Sequence, residues 1–148
     1  MSEQKARRWH IRLGVGIVLL LVLAGISYGL WRRYDAARQR AHQAVLDYIF
    51  ETEEYSAPFI WPILRYIKPA TLVRTSERLK DISPPPEMEE AHTNLVQGYD
   101  FISEGQKLLL QSWGDGELRS EAEFALSWGL SRIQEHYRLI QAYQEEHP

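Results

Sequence analysis

Between Leu13 and Trp31 the chain reads LGVGIVLLLVLAGISYGLW, without one charged side chain. A bilayer core about 30 Å thick takes about 20 apolar helical residues, because every backbone polar group must be satisfied inside the segment. Trp9 and Trp31 bracket the run, at a separation of roughly 33 Å of helix for about 1.5 Å per residue. Indoles at that spacing suit the two headgroup belts, and the Arg12 side chain is long enough to reach outward. The run predicts a transmembrane helix over 13–31, a short basic tail over 1–12 before it, and a water-facing domain over 32–148.

A cleaved signal peptide is the rival reading. Lys5, Arg7 and Arg8 would be its charged region, and Val22-Leu23-Ala24 offers a small residue before a cut. The apolar run continues past Ala24 to Trp31 with no polar stretch between, which favours a retained anchor. Lys5, Arg7, Arg8 and Arg12 precede the span, and Arg32, Arg33, Arg38 and Arg40 follow it, so flanking cations set no orientation. A short cationic tail resists translocation. The expectation is an N-terminus in the cytoplasm and a C-terminal domain outside it. The absence of cysteine excludes a lipidated-cysteine anchor and a disulfide framework.

Within the span, Gly25 and Gly29 form a Gly-x-x-x-Gly, a flat face on which a second membrane helix can pack closely. The two glycines are candidate helix-pairing residues.

Charge divides the chain at the same place. Residues 1–40 hold 8 basic and 2 acidic side chains, and the remainder holds 9 and 18. The overall −3 is thus a basic membrane-proximal end joined to an acidic body. An acidic body without a basic stripe argues against a nucleic-acid partner, whereas the arginines after the span suit anionic headgroups.

The acidic part reads as all-α, with no strand alternation. Ala37, Ala41, Ala44, Val45, Tyr48, Ile49 and Tyr55 recur at mostly three- and four-residue steps, continuing helically from the span and fraying before Pro58. A second stripe runs Met88, His92, Leu95, Tyr99, Ile102 and Leu109, opened by Pro86. A third runs Leu118, Ala122, Ala125, Leu126, Gly129, Ile133, Tyr137, Ile140 and Tyr143. Gly114-Asp115-Gly116 between them predicts an antiparallel hairpin. Pro69 opens a short helix down to Ile82. The whole is a bundle of three or four helices.

The segment from Pro58 to Pro69 is apolar, aromatic and broken by Pro58, Pro62 and Pro69. Its first reading is a connector packed over the bundle. Its second is a partner-docking patch carried by Phe59, Trp61 and Tyr66, and its third an interfacial segment touching the bilayer.

Chemistry finds few footholds. Reflecting the hairpin about Asp115 brings His92 close to His136, and Glu89-Glu90-Ala91-His92 contains one Glu-x-x-His, half of what a di-iron bundle uses. No second copy stands on the partner helix, where Tyr137 rather than His136 falls on the apolar stripe. No cysteine, Gly-x-Ser-x-Gly or Gly-rich phosphate loop is present. The expectation is a non-enzyme without cofactor or metal. It would be a membrane-anchored interaction module, an accessory or scaffold subunit whose partner is a membrane protein or a second copy. The alternative is an envelope-facing ligand-sensing or ligand-binding bundle, which an apolar pocket lined by Tyr99, Trp113 and Trp128 would favour.

Overall fold

Two features of the sequence set where helices begin and end. Prolines open or stop them, and glycine turns the last two back on each other. The computed structural model describes residues 3–147, and side chains from Val18 onward except that of Phe59. The order is α1 (Glu3–Ser56), a 3-10 turn (Pro58–Ile60), the single-turn α2 (Trp61–Leu64), α3 (Pro69–Asp81), a second 3-10 turn (Pro86–Met88), α4 (Glu89–Gln111) and α5 (Gly116–Glu146). The described residues are all-helical, without a strand. They divide into two compact units, Met1–His42 and Gln43–Pro148, so α1 contributes to both.

In the first unit, the described apolar side chains from Val18 to Trp31 lie uncovered. Among the described residues no helix is long and apolar enough to cross a membrane. The run from Leu13 enters that description only at Val18, and the side chains of residues 13–17, like that of Trp9, lie outside it.

The second unit is a helical bundle. Ala37, Ala41 and Ala44, expected on the inward stripe, are exposed, and the buried face of α1 begins at Val45 and continues through Tyr48, Ile49, Thr52 and Ser56. The helix holds to Ser56 instead of fraying. Thr52 and Ser56 return their hydroxyls to the carbonyls of Tyr48 (2.9 Å) and Thr52 (3.3 Å), which lets two polar residues be buried. Pro58 then ends it by holding Ala57 extended.

Pro69 sits at the start of α3, where its missing N–H costs nothing. Leu72, Ser76 and Leu79 are its buried face. Ser83-Pro84-Pro85-Pro86 lead into the second 3-10 turn, so α4 starts at Glu89 rather than Pro86. Gly114 takes φ +82°, a left-handed value that suits glycine, and turns the chain. Asp115 then caps α5, its carboxylate accepting the N–H groups of Glu117 (3.0 Å) and Leu118 (3.1 Å).

The helices α4 and α5 form a tight antiparallel hairpin. A Cβ built on Gly98, Gly105 or Gly129 would stand under 3.0 Å from backbone of the facing helix. One apolar cluster joins Leu64, Leu72, Leu79, Leu95, Tyr99, Ile102, Leu126 and Ile133. Another joins Val45, Tyr48, Ile49, Met88, Ala91 and Ile140, nearer Gln43 along α1. Leu109, expected on the stripe of α4, is exposed.

Candidate functional site

The connector residues divide between the inside and the outside. Trp61 is partly buried: its indole N–H donates to the Ser56 carbonyl (3.1 Å), and its ring meets Tyr137 edge-on at 6.2 Å. Leu64 is buried, and its carbonyl accepts from Gln106 Nε2 at 2.7 Å. Tyr66 points into solvent at 86% exposure, and the Phe59 side chain lies outside the described residues. Of the two described candidates, Trp61 clamps the connector to the bundle and Tyr66 is accessible. Trp61→Ala should cost about 2–3 kcal/mol, less than the 3–5 typical of a fully buried large side chain, because Trp61 keeps part of its surface in water. Urea unfolding of the full chain in mild detergent measures it. Among the described residues, a Cβ built on Gly25 or Gly29 meets nothing within 4 Å beyond its chain neighbours and its own helix's backbone.

A polar cluster is sealed where α1, α4 and α5 meet. Tyr48 of α1 places its hydroxyl 3.3 Å from His92 Nδ1, and its ring lies edge-on to His92 (5.8 Å) and His136 (6.3 Å). His136 Nδ1 lies 2.8 Å from the Ala91 carbonyl. A carbonyl only accepts, so Nδ1 carries the proton and Nε2 is a bare lone pair, buried and without a hydrogen-bond partner. Hairpin reflection brings the two histidines together as expected. It is His136, fully buried, that faces inward, while Tyr137 is only partly buried. A small rotation of α5 about its axis decides between adjacent residues, and the stripe favours the more apolar one.

Burial holds the His136 imidazole down at about 4; the Ala91 carbonyl opposes that and a charge on His92 reinforces it. Burial also lowers His92, against the raising effect of the Leu79 backbone. Tyr48 and Tyr99 are pushed up by burial. Glu89 of the Glu-x-x-His is exposed while His92 is buried, and among the described residues no group of three or more His, Cys, Asp or Glu could hold a metal ion. With His136 at 0% and His92 at 8% exposure, the pair is withdrawn from solvent and links α1, α4 and α5 through Tyr48 and the Ala91 carbonyl.

The accessible chemistry lies on the outer face of the hairpin. Phe124 stacks on Trp128 (6.2 Å, 13° between planes), and Phe101 meets Trp128 edge-on at 6.4 Å. The Arg132 guanidinium lies 4.9 Å from the centre of the Trp128 ring and donates to Asn94 Oδ1 at 2.9 Å. Gln97, Asp100 and Glu104 complete an open groove of about 620 Å³. Compared with known protein families, curated proteins and solved structures, the chain matches none of them. Sequence reasoning misses Phe101 and Phe124 because both stand off the apolar stripes. A signal exists nonetheless: reflection about Asp115 sets Phe101 level with Trp128 to within a residue, three large aromatics on faces otherwise polar. Tyr99 (4% exposed), Trp113 (98%) and Trp128 (41%) share no pocket, since Tyr99 is in the core and Trp113 stands in solvent at the hairpin turn.

Proposed function

We infer that the chain is a single-pass membrane protein whose bundle is a non-catalytic interaction module, an accessory or scaffold subunit of a membrane complex. The observation that carries this reading is the uncovered apolar helix. Val18, Leu19, Leu20, Leu21, Val22 and Leu23 are consecutive and each is 53–68% exposed. At about 100° per residue they are apolar on every side of α1. Such a surface is a liability in water and a requirement in hydrocarbon. Leu13 to Ile17 extend the same charge-free run.

In this reading Gly25 and Gly29 offer a face to another membrane helix, the basic tail stays in the cytoplasm, and the acidic bundle lies outside it. Tyr66 and the groove aromatics are the surfaces a partner protein would meet. The ligand-binding alternative is the weaker one, because the three aromatics that would line its pocket do not converge.

Membranes carrying the full chain test the anchor. The protein should stay with the bilayer through alkaline carbonate extraction, and its mature N-terminus should precede the apolar run. Release into the wash, or a mature start at Gly25, would overturn the anchor. Affinity purification in mild detergent tests the rest: a membrane protein or a second copy should co-purify, and a lone monomer would refute the scaffold role.

A further inference from the structure

We propose that the groove on the outer face of α4 and α5 receives a basic amphipathic helix of a protein partner. This rests on the scaffold reading above and names the surface and the chemistry it uses.

Shape argues for a helix. Gln97, Phe101 and Glu104 on α4, and Trp128 and Arg132 on α5, line the furrow at three- and four-residue steps, and Phe124, one turn before Trp128, stacks on it at the furrow's edge. A third helix seats its own ridge in such a furrow, with apolar anchors at i, i+3 or i+4, and i+7. Phe101, Phe124 and Trp128 are 38%, 68% and 41% exposed, an aromatic surface of the kind that anchors interfaces.

Charge argues for a basic occupant. Asp100 and Glu104 line the groove, each paired at its edge with a lysine (Lys80 at 2.9 Å and Lys107 at 3.3 Å), and the acidic side chains Glu89 and Glu90 line its continuation past Gln97 and Arg132. Glu89 and Glu90 form no short ion pair among the described residues, and Glu90 acts on Arg138 only at longer range. The cation in the groove, Arg132, is already engaged by the Trp128 ring and by Asn94. A lysine or arginine of the incoming helix would meet the Glu89 and Glu90 carboxylates at one end and the exposed Phe124 ring at the other. The same carboxylates repel anionic headgroups and phosphates. They also disfavour a second copy docking here, because beyond residue 40 this chain carries 18 acidic and 9 basic side chains.

The test places a photo-crosslinker at Phe124 (Phe124→p-benzoylphenylalanine) in the full chain, in its native membranes. Phe124 is exposed, so the change should leave the melt unaltered. Mass spectrometry of the crosslinked peptide should find a segment of another protein with net positive charge and an apolar i, i+3/i+4, i+7 face. Glu90→Lys together with Glu104→Lys should cut that yield by about tenfold or more, since like charges then face each other, with the melt unchanged. Crosslinking to lipid, to a second copy or to an acidic segment overturns the proposal, as does indifference to the charge reversal. If a partner still co-purifies but never crosslinks from Phe124, the scaffold reading stands and the groove is not its surface. If nothing co-purifies and nothing crosslinks, the scaffold reading falls with it.

Discussion

Replacing Gly129 by Leu will destabilise the bundle by about 3 kcal/mol or more, the upper part of the range for overpacked cores. A Cβ there would lie 2.6 Å from Ile102 Cγ1, 2.7 Å from the Gly98 carbonyl oxygen and 2.9 Å from the Ile102 amide nitrogen. Ile102 could rotate away, but the other two atoms are backbone, so α4 and α5 must move apart along their whole contact. Gly129→Ala should cost less, about 1–2 kcal/mol, because alanine recovers about 1 kcal/mol of helix propensity against the same clash. Gly116→Ala is the control: a Cβ there meets nothing within 4 Å, and the change should be neutral or slightly stabilising. Urea unfolding of the full chain in mild detergent, followed by circular dichroism, ranks the three. Equal stability of Gly129→Leu and the parent would mean that the hairpin is not packed this closely.

Acidification will weaken the same bundle through His136 and His92. Both imidazoles have folded-state values below the ordinary 6.5, His136 at about 4. The unfolded chain therefore takes up protons first as pH falls, and the folded state loses ground. The contribution of the pair is fully present above pH 6.5 and is lost between about 6.5 and 4. For His136 alone the full contribution is about 3 kcal/mol, taking 1.36 kcal/mol per pH unit between 6.5 and about 4. The groups facing the pair are Tyr48 from α1, the Leu79 backbone from α3 and the Ala91 carbonyl from α4. No carboxylate acts on either ring to offset the added charge. His136→Asn can keep a donor to Ala91 and does not titrate, so it should be less stable at pH 7.5 and lose less between pH 6.5 and 4. Unfolding free energies at pH 7.5, 5.5 and 4 check both statements. A parent whose stability is flat over that range would contradict the buried, neutral assignment.

Much of the fold is legible in the sequence because it depends on local rules. Pro58 and Pro69 act wherever they stand, by removing an N–H and restricting the preceding residue, so the end of α1 and the start of α3 follow from them. Gly114 and Asp115 likewise mark a turn and a cap by themselves. The hairpin register follows from the turn, which is why counting outward from Asp115 is enough to pair His92 with His136. The uncharged run from Leu13 to Trp31 is equally a local property. What it implies about a bilayer depends on the solvent around it, which carbonate extraction addresses and the fold does not.

Only the tertiary structure decided which side of each helix faces in. The stripes of α1 and α5 are each compatible with two rotations, and packing chose the one that buries Val45 but not Ala44, and His136 more deeply than Tyr137. A polar imidazole can occupy the core because α4 offers it the Ala91 carbonyl, a group no reading of α5 reveals. Packing also split the connector, turning Trp61 towards Ser56 and Tyr137 and leaving Tyr66 outside. It left Phe101, Phe124 and Trp128 together on the surface for the same reason. Two helices drawn close by Gly98, Gly105 and Gly129 have no room between them for these aromatics, so the side chains gather on the outer face.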